Sequence, residues 1–337
     1  MTRNRTACAV AIALWVVGCA GPEADVEPPS PAPTTELAFT VSERDLLPEN
    51  IAFDPLDSAF YIGSSRHGKI VKVAPDGTTS DFTLPQREDG LWMVMGMKVD
   101  PGRRHLWVAS SDGDNLLGFK RSQQRAAGIF QFDLTSGELL RKWILDAPGA
   151  VHFFNDLVVT PEGNVYATHM FNRPVVYVIG AAGGELEIFA RPGNFSAPNG
   201  IALGEGGTVY VAHREGLSAF NPATAMRTAL SLPVDASFSP IDGLYFHRGD
   251  LIGVHPEEGV IRRFELDGTT VTGIEVLEDS HPAIDGLTTG VLIGDALYFV
   301  ANSQFDRLEN GNLPEVDQLD DIVVLKLELE APAAANQ

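Results

Sequence analysis

Cysteine is nearly absent from this sequence. Only two of the 337 residues are cysteines, and both of them, Cys8 and Cys19, lie close to the N-terminus. A domain that begins after Cys19 therefore has no disulfide and no thiol nucleophile, so a large apolar core must stabilise it. About 300 residues follow the N-terminal segment, and a chain of that length can build such a core as a single domain.

Basic residues are also scarce. The chain has 24 lysines and arginines against 45 aspartates and glutamates, which gives a formal net charge of −21 at pH 7. This excess of negative charge argues against nucleic acid or an anionic lipid surface as the main partner. It is compatible with cation binding, and it leaves a small-molecule substrate or ligand as the expected partner.

A second apolar run of bilayer length is missing, so nothing beyond the N-terminal segment is expected to span a membrane. Arg3 and Arg5 precede an apolar stretch, residues 7–17, that is too short to span a bilayer comfortably. Residues 16–19, Val-Val-Gly-Cys, then resemble the bacterial lipobox, in which the signal is cut before the cysteine and lipid is attached to it. An ordinary signal peptide cut at a nearby small residue is the alternative.

The lipobox interpretation divides the chain into four parts. Residues 1–18 form a lipoprotein signal peptide, 19–36 the lipidated Cys19 and a proline-rich linker, 37–330 the folded domain, and 331–337 a flexible tail. The predicted protein is exported and is attached to a membrane only through this lipid anchor. Ala20 after the cysteine resembles lipoproteins on the periplasmic face of the outer membrane.

Long helical periodicity is nearly absent as well, and a repeat of strand-like runs takes its place. One pattern occurs six times: a polar or small residue, an apolar alternating run, a tight turn and a second apolar run. The copies begin at residues 49, 95, 155, 199, 242 and 285, so the spacings are 46, 60, 44, 43 and 43 residues. Such a period is typical of β-propeller blades. A flat sandwich, the structural alternative, has no reason to repeat so evenly.

The two ends of the repeat region predict how the ring closes. Residues 37–41 and residues 322–327 both have the pattern of strands. A propeller that left them apart would expose an unpaired sheet edge. The predicted fold is therefore all-β, a six-bladed β-propeller with four-stranded blades, in which the N- and C-terminal strands close the last blade.

We call the residues that begin the six repeats the heads. The first strand of a blade lies innermost, so the heads are expected to meet at one end of the central channel, which we call the top. Five heads carry side-chain oxygen: Glu49, Asn155, Asn199, Asp242 and Asp285. Carboxylates and amides without cysteine match the ligands of a hard cation, Ca²⁺ or another divalent metal. Asn-Gly and Asp-Gly are also common turn dipeptides, but this does not explain Glu49 or Asn155.

Four head motifs, in this order, resemble the senescence marker protein, gluconolactonase and luciferin-regenerating-enzyme-like family of β-propellers. They are Pro48-Glu49-Asn50, Phe154-Asn155-Asp156, Pro198-Asn199-Gly200 and Ile241-Asp242-Gly243. The resemblance implies a divalent metal held by Glu49, Asn155, Asn199 and Asp242. It also implies a lactonase in which the metal polarises the lactone carbonyl. Asp242 would accept a proton from water as general base, and Asn155 would orient the substrate.

Two departures from the family pattern change the expected substrate pocket. Sugar lactonases of the family carry an arginine two residues before the Phe-Asn-Asp asparagine, where this chain has Phe153. The related paraoxonase-like propellers have a histidine at the second head, where this chain has Met95. Six of the eight histidines map to the top, which favours a functional role for that end. The predicted substrate-binding residues are Asn155, Phe153, His169, His213 and Met95.

Two other functions stay open, because propellers support many unrelated activities. The chain is alternatively a non-catalytic lipoprotein whose propeller is stabilised by the metal and binds a small ligand or a protein partner. A purely structural scaffold, which predicts no metal, is the third possibility.

Overall fold

The computed structural model describes residues 34–84, 90–120, 126–146, 150–172, 174–191, 193–234, 236 and 238–329. All of them belong to one compact unit, Ala32–Gln337. Cys19, the signal segment, most of the linker and the tail lie outside the described residues, so their assignments stay predictions. No helix within the described ranges is long and apolar enough to cross a membrane.

The described residues form short β-strands with four single-turn 3₁₀ helices between them. The 3₁₀ helices are Arg44–Leu46, Glu205–Gly207, Phe305–Arg307 and Val316–Gln318. The 24 strands, in chain order, are β1 (Thr35–Val41), β2 (Pro48–Asp54), β3 (Ala59–Ser64), β4 (Lys69–Val73), β5 (Thr79–Asp81), β6 (Met93–Asp100), β7 (His105–Ser111), β8 (Ala127–Asp133), β9 (Leu139–Leu145), β10 (Phe154–Val159), β11 (Val165–His169), β12 (Val175–Ile179), β13 (Glu187–Ala190), β14 (Ile201–Leu203), β15 (Val209–His213), β16 (Gly216–Phe220), β17 (Arg227–Ala229), β18 (Leu244–His247), β19 (Asp250–His255), β20 (Val260–Asp267), β21 (Thr270–Glu278), β22 (Gly290–Ile293), β23 (Ala296–Val300) and β24 (Ile322–Glu328).

The strands pair into six four-stranded sheets, which are the blades. Blades one to five each use four consecutive strands, from β2–β5 to β18–β21. Blade six has the order β22-β23-β24-β1, so the N-terminal strand is its outermost member. β1 runs antiparallel to β24, from Thr35 opposite Leu327 to Val41 opposite Ile322. The six-bladed propeller with four-stranded blades, closed by the two ends of the chain, is therefore confirmed.

The apolar core lies between the blades. Six clusters of buried apolar side chains in the described part of the chain each draw their members from two neighbouring blades. Between blades one and two, for example, Tyr61, Ile70, Phe130 and Phe132 are fully buried. Burial of each such side chain stabilises the folded state by about 1.5–3 kcal/mol. This burial stabilises the ring in place of a disulfide.

Strand register fixes which residue opens each inner strand. The residue two positions after each head pairs with the second strand of its blade. These pairs are Ile51 with Ile62, Met97 with Val108, Leu157 with Ala167, Ile201 with Val211, Leu244 with Gly253, and Gly290 with Phe299. The heads that follow from this register are Glu49, Met95, Asn155, Asn199, Asp242 and Thr288.

The sixth head differs from the prediction. The sequence pattern predicts Asp285, whereas the pairing of Gly290 with Phe299 puts Thr288 at this position. Thr288 is buried. The Asp285 side chain is 66% exposed, and its carboxylate lies 3.7 Å from the Arg307 guanidinium. The prediction that Asp285 converges with the other heads is wrong, because three extra residues separate its Asp-Gly turn from the inner strand.

Histidines end the second strand in three successive blades. His169, His213 and His255 share one register position at the ends of β11, β15 and β19. All three are buried, because this position faces the interior. Burial, with the Arg262 guanidinium as the next cause, lowers the pKa of His255 to about 4, against the opposing charge of Glu258.

His255→Asn should make the protein less sensitive to acid. The pKa of His255 is about 4 in the folded state, against about 6.5 in the unfolded chain. Between these two pKa values the unfolded chain binds more protons than the folded protein does. The free energy of unfolding of the parent therefore falls by up to about 3 kcal/mol as the pH falls through this window. Thermal melts from pH 7 to pH 4 should show a shallower decline for H255N. His281→Asn, in a partly exposed turn, should match the parent, and equal declines in all three proteins would contradict a buried neutral His255.

Candidate functional site

The heads of blades one to three lie at β-bulges. The strand pairing shifts there between Pro48 and Ile51, Val94 and Met97, and Phe154 and Leu157. A bulge changes the direction of the side chain that it carries and is common beside functional sites. The bulges therefore explain why Glu49, Met95 and Asn155 depart from the regular alternation of their strands.

The heads of blades four and five are followed by glycines that allow close backbone packing. A Cβ atom on Gly200 would lie 2.6 Å from the carbonyl oxygen of Asp242. A Cβ atom on Gly243 would lie 2.6 Å from the hydroxyl of Tyr245. Both distances are shorter than a van der Waals contact, so no other residue fits without a shift. Gly200 thus lets the inner strand of blade four approach that of blade five, whereas Gly243 leaves room for the Tyr245 hydroxyl of its own blade.

Asp242 is in contact with both Asn199 and Glu49. Asn199 Nδ2 donates a hydrogen bond to Asp242 Oδ1 at 2.8 Å. The carboxyl groups of Glu49 and Asp242 are hydrogen-bonded to each other. Glu49 is 6% exposed and Asp242 is 8% exposed. The fold therefore brings three of the four predicted metal ligands together in a largely desolvated cluster.

Asn155, the fourth predicted ligand, opens β10 in the same register and is 6% exposed. Its Nδ2 atom donates to the Met170 Sδ atom at 3.2 Å. Because this contact engages the nitrogen of the carboxamide, Oδ1 is the atom that Asn155 could offer to a cation.

Two buried carboxyl groups in contact cannot both be charged at low cost. Burial raises the pKa of Glu49 well above its usual range, and the neighbouring Asp242 carboxylate raises it further. Burial also raises the pKa of Asp242 to about 6, against the opposing effect of the hydrogen bond from Asn199. Without a cation the pair therefore shares one proton, which stays on Glu49 and is donated to Asp242.

The donor set fits a hard divalent cation. Asn199 Oδ1 is buried and has no hydrogen-bond partner, and a bound cation would satisfy it and replace the shared proton. Calcium takes six to eight oxygen ligands, so four side chains leave positions for water or substrate. No group of three or more His, Cys, Asp or Glu side chains in the described residues has a metal-binding arrangement. The head cluster differs in kind, because two of its four ligands are amides.

Apolar side chains stand at the second head and two residues before the third. Met95, the head of blade two, is 7% exposed. Phe153 precedes Asn155 by two residues, and its ring contacts that of Phe171 edge-on, with ring centroids 5.3 Å apart. Phe171 is 40% exposed. An aromatic pair that reaches solvent therefore stands where sugar lactonases of the resembled family have an arginine.

The two predicted substrate-binding histidines have other contacts. The His169 Nε2 atom lies 3.2 Å from His152 Nδ1, and its ring contacts Phe154. His213 Nδ1 lies 2.9 Å from Glu215 Oε2, and its Nε2 lies 2.8 Å from Ser218 Oγ. The His213 side chain is 1% exposed. The structure thus places His213 inside blade four rather than in the cluster of heads.

Sequence reasoning missed two charged members of the channel. Asp156 is 3% exposed, and its charge raises the pKa of both Glu49 and Asp242. The Lys98 ammonium lies 4.0 Å from Asp156 Oδ1 and 5.7 Å from the centre of the Tyr245 ring. The adjacent Asn155-Asp156 pair was visible in the sequence, but nothing in the repeat pattern pointed to Lys98.

Several solved structures share this fold at low sequence identity. The Malassezia sympodialis allergen Mala s 1 has a TM-score of 0.69 and 16% identity, with 88% of this chain and 98% of that chain covered. A gluconolactonase from Xanthomonas campestris has a TM-score of 0.56 and 16% identity, covering 90% and 99%. A PQQ-bound aldose sugar dehydrogenase from Streptomyces coelicolor has a TM-score of 0.61 and 15% identity, covering 90% and 100%.

These likenesses establish the fold, and gluconolactonase-like propellers are among the structural neighbours. Sugar dehydrogenases share the same architecture, so the fold alone does not distinguish hydrolysis from oxidation. No protein-family model matches the chain, and no curated protein matches its sequence closely. The head cluster is therefore the feature of this chain that indicates its function.

Proposed function

We propose that the protein is a hydrolase of a lactone or a related ester, dependent on calcium or another divalent metal. The observation that carries the proposal is the contact of Asp242 with both Glu49 and Asn199, together with the buried Asn199 Oδ1 atom that has no hydrogen-bond partner. We also propose that it acts outside the cytoplasm, anchored by lipid on Cys19. The low exposure of the heads supports the site, because electrostatic stabilisation is strongest where water is excluded.

Each residue of the cluster has a role that follows from its contacts. When bound, a divalent cation supplies a Lewis acid that polarises the carbonyl oxygen of the substrate. Glu49 and Asp242 supply the compensating negative charge. Asp242, a carboxylate within the head cluster, would accept a proton from an attacking water as general base. Asn199 holds the Asp242 carboxylate in place through its amide nitrogen.

The apolar surroundings favour a substrate with an apolar or aromatic part over a sugar lactone. Phe153 and Phe171 offer a stacking surface and no charged group for a sugar hydroxyl. Met95 adds a polarisable apolar side chain at the second head. We therefore expect aryl esters and alkyl-substituted lactones to be hydrolysed faster than gluconolactone.

The direct test is a panel of lactones and aryl esters, assayed with calcium and then with a chelator. Turnover that is lost with chelator and restored by calcium would support the proposal. Tight calcium binding without turnover of any member would overturn it and favour the alternative, a metal-stabilised propeller that binds a ligand. Absence of calcium binding would overturn both.

Asn155→Ala should lower kcat/KM by roughly a hundredfold on the best substrate, because it removes a ligand and an orienting group. The fold should persist, since within the described part of the chain the Asn155 side chain donates one weak hydrogen bond, to the Met170 sulfur. Asn164→Ala is the matched control, because Asn164 lies at the other end of the same blade, where it accepts a bond from the Ala181 amide. Steady-state kinetics should show near-parent activity for N164A, and equal losses in both variants would contradict the role of Asn155.

A further inference from the structure

A cleft between blades two and three opens at the bottom of the propeller, the end opposite the top. β7 begins at this end, and two turns of blade three lie there, one between β10 and β11 and one between β12 and β13. The cleft has a volume of about 400 Å³, within the usual range for small-molecule sites. Blade two contributes the side chains of Arg103, His105, Trp107, Gln131, Leu140 and Arg141, and no head lines the cleft.

The cleft is positively charged, although the chain has a net charge of −21. Two arginines line it, and none of its described lining residues is an aspartate or a glutamate. The Arg103 guanidinium is paired with Asp100 Oδ2, 3.0 Å from its Nη1 atom. Arg141 forms no ion pair within the described chain, and its Nη1 donates to the Gly183 carbonyl at 3.0 Å. Arg141 therefore supplies a positive charge that no described carboxylate offsets.

Trp107 carries an unsatisfied hydrogen-bond donor. Its side chain is 5% exposed, and its Nε1 atom is buried without a hydrogen-bond partner. Trp143 stacks on it with ring centroids 5.5 Å apart, and its own Nε1 donates to the Gly184 carbonyl at 2.8 Å. Buried donors without a partner are rare, so Trp107 marks a place in the cleft for an acceptor atom of a ligand.

His105 adds a second donor. Gln131 Nε2 lies 2.8 Å from His105 Nδ1. Because an amide nitrogen donates and does not accept, Nδ1 is the acceptor and the proton of the neutral ring is on Nε2. Burial lowers the pKa of His105, against the opposing charges of Asp100 and Asp133, so the ring is neutral at pH 7. The Asp133 carboxylate is itself engaged by the amide of Ser136 at 2.7 Å.

Strand register puts these groups on one face of blade two. Trp107 lies opposite Gln131, and Gln131 lies opposite Arg141. Residues that face each other across antiparallel strands project to the same side of the sheet. His105 shares this side, because it precedes Trp107 by two residues on the same strand.

Two glycines of blade three leave room for the two guanidinium groups. A Cβ atom on Gly163 would lie 2.7 Å from Arg103 Cζ, and one on Gly183 would lie nearer still to Arg141 Nη1. Both glycines have a positive φ, 100° and 71°, which other residues rarely adopt. The turns of blade three can therefore approach the arginines without covering them with side chains.

We infer that this cleft binds a small organic monocarboxylate with an apolar or aromatic part. The Nε and Nη2 atoms of Arg141 donate to no described residue, and this edge of a guanidinium matches a carboxylate in bidentate geometry. Trp107 Nε1 and His105 Nε2 add neutral donors. Leu140, which is 45% exposed, offers an apolar wall. The site goes beyond the proposed function and does not depend on it.

The test is isothermal titration calorimetry with benzoate and with benzamide, its neutral analogue of the same shape. We expect saturable binding of one benzoate per chain and at least about tenfold weaker binding of benzamide, because hydrogen bonds to a charged group are the stronger ones. Both titrations contain a chelator, so that the carboxylate has no metal to bind at the heads. Absence of benzoate binding under these conditions, or equal affinities for the two compounds, would overturn the inference.

Arg141→Gln should weaken benzoate binding by about tenfold or more, because it removes the charge of the site. Lys142→Gln is the matched control. Lys142 is the next residue of β9 and lies on the opposite face of the blade, where its Nζ is 3.7 Å from a Cβ atom built on Gly90. K142Q should bind benzoate like the parent. Equal losses in the two variants would show an effect of net charge alone and would overturn the inference.

Trp107→Phe tests the unsatisfied donor directly. It keeps an aromatic ring, removes the N–H group, and should weaken benzoate binding by about threefold to tenfold. In the ¹⁵N-labelled parent, the indole N–H resonance that W107F lacks should move downfield as benzoate is added. A resonance that stays in place at saturating benzoate would overturn the inference. Should W107F fail to fold, the affinities of R141Q and K142Q decide the question.

Discussion

Glu49→Gln is expected to abolish calcium binding and, in the absence of calcium, to raise the melting temperature. Burial and the neighbouring Asp242 carboxylate raise the pKa of Glu49 in the folded state, so the folded protein binds a proton at this carboxyl group more tightly than the unfolded chain does. By linkage this lowers the stability of the parent as the pH rises above the ordinary glutamate pKa. Glutamine has nearly the same shape and donates to Asp242 through its amide. Because it does not ionise, it does not cause this loss of stability.

Saturating calcium should reverse the order of the two melting temperatures, so that the parent melts above E49Q. At a free concentration of one hundred times Kd, a ligand that binds only the folded state stabilises it by about 2.7 kcal/mol. The parent gains this stability, whereas E49Q has lost one of its two anionic ligands and gains little. Differential scanning calorimetry with chelator and with calcium should therefore show the two melting curves exchange positions.

Glu138→Gln is the control for this prediction. Glu138 is an exposed residue in a turn of blade two, so its substitution removes a carboxylate without touching the cluster. E138Q should melt with the parent under both conditions. A destabilised E49Q in the presence of chelator would contradict the shared proton, and an equal calcium response in E49Q and parent would remove Glu49 from the site.

The six-bladed fold could be predicted because it follows from local patterns that recur. Each blade repeats the same alternation, and Glu49, Asn155, Asn199 and Asp242 recur at one point in it. Closure by the two ends of the chain could also be predicted, since an unpaired strand at the end of a repeat ring is unfavourable. Both predictions follow from the sequence pattern alone and do not depend on which side chains contact each other.

The sixth head could not be found in this way. Asp285-Gly286 has the same composition as Asp242-Gly243, yet the register of blade six depends on the pairing of Gly290 with Phe299. That pairing puts Thr288 at the head and leaves Asp285 in solvent. A motif identifies a turn, but the hydrogen bonds of the strand that follows decide which residue enters the channel.

The charged side chains in the channel could not be predicted from the sequence repeat either. Lys98 and Asp156 lie on neighbouring blades, and their approach depends on Gly96 being small enough for Asp156 to pack against it. The histidines show the same limit: His213 ends its strand at the top as expected, but its side chain turns into blade four. Sequence period gives the position of a residue along a strand and does not give its contacts across blades.

Arg104→Met should destabilise the ring by about 3–5 kcal/mol, because it leaves a buried carboxylate without its counter-charge. Asp54 of blade one has no exposed side-chain surface, and its Oδ1 accepts from the Arg104 guanidinium at 2.7 Å. The Leu56 amide, at 3.1 Å, also donates a hydrogen bond to that oxygen. Denaturant unfolding should show the loss, and the double variant R104M/D54N should recover most of it.

Arg248 makes a close control for this substitution. Like Arg104, it lies in the turn after an inner strand with a positive φ, 51° against 55°, and it pairs with an aspartate of the adjacent blade, Asp295. Here, however, both side chains are about half exposed, at 46% and 51%, so water screens the charge that remains. Arg248→Met should cost at most about 1 kcal/mol, and since backbone strain is the same in both variants, the difference between them measures the burial of Asp54. Equal losses would show that the turn conformation, rather than the buried charge, sets the cost.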